Sequence, residues 1–89
     1  MEIKIVLTTF GLDKKGIIAE VSRVLLAYDA NILDISQTIV DGYFNMMMIA
    51  QVAVDQFEKL SDELEVASHA MGVTTVTQRA DTFKAMHHL

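Results

Sequence analysis

The chain has 89 residues, 52% of them hydrophobic, with 12 acids against 7 bases and a formal net charge of −5. That length makes one domain, 1–89, whose modest core would gain from oligomerisation, and the acidic balance disfavours nucleic acid, whose phosphates are gripped mainly by Lys and Arg. The absence of cysteine removes disulfides, thiolate metal sites and cysteine nucleophiles together.

The opening stretch MEIKIVLTTF is too short and too soon interrupted by charge for a signal peptide, and no apolar run approaches the ~18 residues that cross a bilayer. A soluble cytoplasmic protein with no membrane partner is expected. Ile3, Ile5 and Leu7 alternate with Lys4, Val6 and Thr8, the period-two mark of a strand with one well-buried face. From Gly16 the period changes: Ile17, Ile18, Val21, Val24, Leu25 and Tyr28 fall at helical spacing, with Glu20, Arg23 and Asp29 on the other side. Asn31 punctuates the chain, and ILDISQTIV (32–40) predicts a second strand.

Asp41-Gly42 is the strongest hairpin signal, because both residues tolerate positive φ. YFNMMMIAQVAV (43–54) predicts the antiparallel return strand, apolar on both faces as a central strand is. Asp55, with Glu58 three residues on, reads as a capping-box-like helix start. The stripe of Phe57, Leu60, Leu64, Ala67 and Met71 carries that helix, and Gly72 is placed to stop it. VTTVTQ (73–78) is a β-branched fourth strand, and Asp81 caps a short final helix with Phe83 and Met86 facing inward. The order β-α-β-β-α-β predicts an α+β, ferredoxin-like sandwich: a four-stranded antiparallel sheet, two helices on one face, and a short C-terminal helix.

The stretch GLDKKGIIAEVS (11–22) joins the first strand to the first helix through two glycines. The spacing Gly11-x-x-x-x-Gly16 matches half of a phosphate-binding loop, but Ile17-Ile18 stands where Lys and Ser or Thr must reach phosphate and magnesium. Two readings remain. In one this is a plain strand-to-helix turn, with Asp13 as cap and Lys14 and Lys15 solvated. In the other the first helical N–H groups attract a carboxylate, glycine admits it to the main chain, and Asp13 receives an ammonium group; a carboxylate-plus-ammonium ligand is an amino acid.

The pattern G-x-D-x-x-G-I-I-A-x-V-S at 11–22, followed by A-N-I-x-D-I at 30–35, resembles an ACT domain over essentially the whole chain. NILDISQTIVDGYFNMMMI (31–49) looks more narrowly like the uncharacterised prokaryotic proteins made of one free-standing ACT domain. Those are similar in turn to the paired ACT domains of the glycine cleavage system transcriptional repressor. The resemblance implies a small-ligand regulatory module of amino-acid metabolism that dimerises through its first helix and second strand. It implies a ligand at that junction, held by the loop around Gly11, Lys14, Lys15, Gly16 and Ile17, by Asp13, and by Asn31 of the neighbouring chain. Serine-binding relatives carry asparagine where this chain has Asp13, and often proline where it has Lys15; an acid at that place repels a ligand carboxylate and favours an amine.

The residues support pairing by themselves. The segment 32–40 is long, β-rich and free of proline, with Asp34 its one charge, and such an edge is normally capped or paired. A homodimer through Asn31, Leu33, Ile35 and Gln37 satisfies it and closes under a two-fold axis.

Other constellations have plainer explanations. At consecutive strand positions Met47 points away from Met46 and Met48, so the three do not chelate one ion. His69, His87 and His88 read as surface residues without a fixed ligand set. Ser22, Ser36, Ser61 and Ser68 have no histidine placed by a recognisable nucleophile motif, and an enzyme is not expected; no cofactor is called for. Tyr43 and Phe44 faintly resemble the aromatic strand of an RNA-recognition motif, but Asp41 stands before Gly42 where that motif has a base. The expected function is a homodimeric regulatory domain binding an amino acid. The alternatives are a ligand-free module that pairs with another ACT protein or regulator and, further off, an RNA binder.

Overall fold

The computed structural model describes residues 1–86. Its elements are β1 (Glu2–Leu12), α1 (Ile17–Ala27), β2 (Asn31–Val40), β3 (Tyr43–Ala53), a 3₁₀ turn (Val54–Gln56), α2 (Phe57–Ala70), β4 (Val73–Arg79) and α3 (Ala80–Met86). The four strands form one antiparallel sheet in the order β2-β3-β1-β4. This is the ferredoxin-like βαββαβ arrangement with a short C-terminal helix.

Side-chain parity divides the sheet into two faces. Ile3, Ile5, Leu7 and Thr9 of β1 point to the side shared by Phe44, Met46, Met48, Ala50 and Val52 of β3. Against them pack Ile17, Val21, Val24 and Leu25 of α1 and Leu60 and Leu64 of α2 in one cluster. Met46 and Met48 are buried there, while Met47 lies on the other face and is 42% exposed; the triplet is split as strand geometry requires.

Val6 also lies on that other face, outside the main cluster, yet it is only 3% exposed. α3 packs against β1 and β4, which accounts for the burial, and Phe83 is half-buried. The final helix therefore covers the far side of the sheet near Val6, a second small apolar contact. Farther along the same side the cover ends, and Phe10 is 46% exposed.

Local chemistry sets the boundaries. Asp41 and Gly42 adopt φ of 53° and 80°, the paired positive values of a tight hairpin. Gly72 ends α2 with φ 74°. α1 ends differently from the expected punctuation at Asn31. Asp29 takes φ 56°, its N–H donates to the Leu26 carbonyl, and the Ala30 N–H donates to Leu25, so Asn31 already belongs to β2. The expected cap at Asp55 is also displaced. The chain first winds the 3₁₀ turn that contains Asp55, and α2 starts behind Gln56 with no side-chain cap.

β2 is the edge strand the sequence predicts, and every one of its residues from Asn31 to Val40 is exposed. A bulge at Leu33 interrupts its register with β3. Ile35 pairs with Met48 and Ile39 with Phe44, which puts both on the helix side. The helices nonetheless leave them open, Ile35 at 43% and Ile39 at 57%. β2 is thus an apolar ledge projecting beyond the helical layer.

Candidate functional site

Gly16 takes φ 87° and stands at the N-cap of α1, its carbonyl receiving the Glu20 N–H at 2.9 Å. No side chain caps this end. The cap role that a plain turn would give Asp13 is therefore unfilled, and the first-turn N–H groups have no intrahelical acceptor. A Cβ built on Gly16 meets nothing within 4 Å, so the main chain here is open to approach.

The Asp13 N–H donates to the Gly42 carbonyl at 2.9 Å, tying the loop to the tip of the β2–β3 hairpin. A cleft of about 310 Å³ lies beside this junction. Asp13, Lys14 and Gly16 form one wall with the start of α1 (Ile17, Ile18, Ala19), and Gln37 and Ile39 of β2 form the other, with Phe44 of β3 between them. That size is at the low end of small-molecule sites, which run roughly 300–1,000 Å³.

The predicted site residues separate on this geometry. Asp13, Lys14, Gly16 and Ile17 come together at the cleft, and Gln37, expected only at a dimer contact, lines it too. The Lys14 Nζ also reaches across to the end of α2, 3.4 Å from where a Cβ on Gly72 would stand. There it lies near the carbonyl end of that helix, the favourable end for a cation. Lys15 is exposed and does not line the cleft. Gly11 sits inside the sheet, in register with Phe44 on one side and Val73 on the other. Its φ is 153°, and a Cβ there would stand 2.9 Å from Val73 Cγ1 and 3.1 Å from Val73 Cα, so close strand packing is what requires this glycine.

Asn31 lies at the opposite end of β2 from the cleft, paired with Gln51, whereas Gln37 pairs with Met46. Six residues of strand, about 20 Å, separate Asn31 from Gln37. Leu33 and Ile35 occupy the exposed ledge between them. Ile39 and Phe44 also line the cleft, which the sequence does not announce; their place depends on the β2–β3 register, of which the Asp41-Gly42 turn is the local sign.

The aromatic pair at the hairpin does not form a stacking surface. Phe44 is 3% exposed and faces the helices, while Tyr43 lies on the opposite side of the strand. His69 is exposed on α2, and His87 and His88 lie outside the described residues. Met86 closes α3, but its side chain also lies outside what the structure describes. No helix among the described residues is long and apolar enough to cross a membrane.

Comparison with known proteins agrees with this architecture. A family model for the ACT domain matches residues 4–78. A UPF0237 protein of Methanocaldococcus jannaschii is 43% identical over 88 residues, covering 97% of this chain and 98% of its own. Among solved structures, an ACT domain protein from Streptococcus pneumoniae is 38% identical and superposes with a TM-score of 0.77, over 96% of this chain and 98% of that one. A candidate glycine cleavage system transcriptional repressor shares the fold with a TM-score of 0.84 at 21% identity, over 90% of this chain and 47% of that one. By the family match and the near full-length identity to UPF0237 proteins, the chain belongs to the ACT domain family.

Proposed function

We propose that this protein is a regulatory ligand-binding ACT domain, not an enzyme, which acts as a homodimer and takes an amino acid at the Gly16 cleft. The observation that carries the reading is the uncapped start of α1, open at Gly16 and facing the exposed β2 ledge. Its amides suit a carboxylate, and Asp13 in the same wall suits an ammonium group. Two β2 edges pairing antiparallel about a two-fold axis join the sheets and cover Leu33 and Ile35. Full-length pairing of Asn31–Val40 with its own copy sets Asn31 of one chain opposite Val40 of the other. Asn31 then arrives beside the hairpin whose Gly42 carbonyl holds Asp13. The asparagine that is remote within one chain is adjacent across the proposed interface. Ligand would favour one dimer geometry to the extent that it binds that geometry more tightly.

A thermal-shift screen with the twenty amino acids tests this. At a hundredfold excess over its dissociation constant a true ligand stabilises by ~2.7 kcal/mol, an easily visible shift. Asn31→Ala should weaken that response without unfolding the domain. If no amino acid stabilises the protein, the second reading gains. It is a ligand-free module that pairs with another regulator, and the exposed apolar β2 edge favours it.

A further inference from the structure

We infer that the other edge of the sheet, β4, is a docking site for an extended, lysine- or arginine-bearing segment of a different protein. β4 ends the strand order and, among the described residues, has no strand on its outer side. Residues 73–77 (VTTVT) contain no charge and no proline, the usual devices that stop an edge from recruiting another strand.

A groove of about 470 Å³ runs along this edge. It is lined by residues 73–77 without a gap, so residues of both parities border it. That consecutive run takes in the rim of the edge strand, where outward N–H and C=O groups stand. The facing wall is a single stripe of α2, with Ser61, Glu65 and Ser68 at helical spacing and His69 beside them. The floor is fixed in advance: Thr75 Oγ1 lies 2.6 Å from Ser68 Oγ and 2.8 Å from Thr9 Oγ1. A strand added here gains ladder hydrogen bonds from β4 and places alternate side chains against the α2 stripe.

Symmetry and charge choose the occupant. If β2 pairs with a second copy, as proposed above, self-pairing at β4 about a parallel two-fold axis would extend the sheet without end, and about any axis it would bring two like-charged grooves together. The β4 partner is therefore a different chain; this step alone rests on the β2 reading. Glu65 stands in the groove, Glu58 lies two turns earlier on the same side of α2, and the whole chain carries −5. An acidic segment is repelled from such a surface and a basic one drawn to it.

The test titrates ¹⁵N-labelled protein with a capped octapeptide of alternating lysine and threonine, and with its glutamate counterpart. The lysine peptide should shift the amides of residues 73–77 and slow exchange of the alternate, outward-pointing ones. Glu65→Gln should weaken it about tenfold, and Ser61→Lys should abolish it, both with unchanged circular dichroism. Asn31→Ala should leave it intact, which separates this site from the amino-acid cleft. Shifts confined to the acidic positions of α2 without slowed exchange at β4, equal binding of the glutamate peptide, or no binding of either would each overturn the inference.

Discussion

Replacing Gly11 and Gly16 in turn by alanine separates a glycine that the sheet needs from one that a ligand is proposed to need. Both have positive φ, 153° and 87°, and an alanine held in such a conformation costs about 1–2 kcal/mol. At Gly16 nothing lies within 4 Å of the added Cβ, so that strain is the whole expected loss. At Gly11 the added Cβ would also stand 2.9 Å from Val73 Cγ1 and 3.1 Å from Val73 Cα. The first contact is with a branched, buried side chain and the second is with backbone, so relief needs β1 and β4 to part. Overpacking of this kind adds about 1–3 kcal/mol, for a total of about 2–5 kcal/mol. A chain of this length is stable by only about 4–13 kcal/mol, so Gly11→Ala should remove a large share or unfold the domain. Urea unfolding at one fixed protein concentration reads the difference, with concentration held because assembly contributes to apparent stability. Val73→Ala removes the 2.9 Å contact and leaves those with Cα at 3.1 Å and Cβ at 3.2 Å, so a double-mutant cycle with Gly11→Ala should show favourable coupling. Equal midpoints for the two glycine variants, or no coupling to Val73, would refute this account of Gly11.

Three further outcomes are expected. Thr75→Val breaks both hydroxyl contacts and leaves the buried Thr9 and Ser68 hydroxyls without that partner; denaturant unfolding should show a loss of about 1–3 kcal/mol. Ile35→Lys, on the exposed ledge and outside the cleft lining, should lower the sedimentation mass to that of one chain while the far-ultraviolet spectrum stays unchanged. The same variant should also lose any amino-acid thermal shift, since it withholds Asn31 of the second copy; a monomer that keeps the shift would place the ligand within one chain.

Much of the fold is written locally. The alternation of Ile3, Ile5 and Leu7, the switch to helical spacing at Ile17 and the Asp41-Gly42 turn each act over a few residues, and each appears where its local physics puts it. The misplaced features are set at longer range or by near-equivalent local choices. Asp55 is a sound cap residue, but the chain winds a 3₁₀ turn from Val54 to Gln56 before α2 begins. Asp29 stops α1 through its own positive φ, a role glycine or asparagine fills more often. The alternation of β1 puts Val6 on its outer face, yet Val6 is buried, because α3 returns across that face from far along the chain. At the cleft, Asp13 and Gly16 were legible because a strand-to-helix loop announces itself in sequence. Ile39 and Phe44 were not, since register alone carries them to the loop. Gly11 looks like part of the loop in sequence, because the residue that requires it, Val73, lies in the last strand of the sheet.

The charge arrangement at the cleft narrows the chemistry of the proposed ligand further than the open helix start does. Uncapped amides alone favour any anion, phosphate included. Asp13 shares the same wall, however, and no side chain cap engages it at α1. The nearest cation in sequence, Lys14, shares that wall but carries its Nζ toward Gly72 and the end of α2. A ligand that is only negative therefore gains at the amides and loses at Asp13, and the net −5 of the chain adds to the loss for polyanions. A ligand with a positive group beside its carboxylate avoids that conflict, because each end meets its opposite. The same reasoning makes Asp13 the residue that separates an amino acid from a simple anion: with its charge removed and its shape kept, the cleft would lose its reason to prefer the amine.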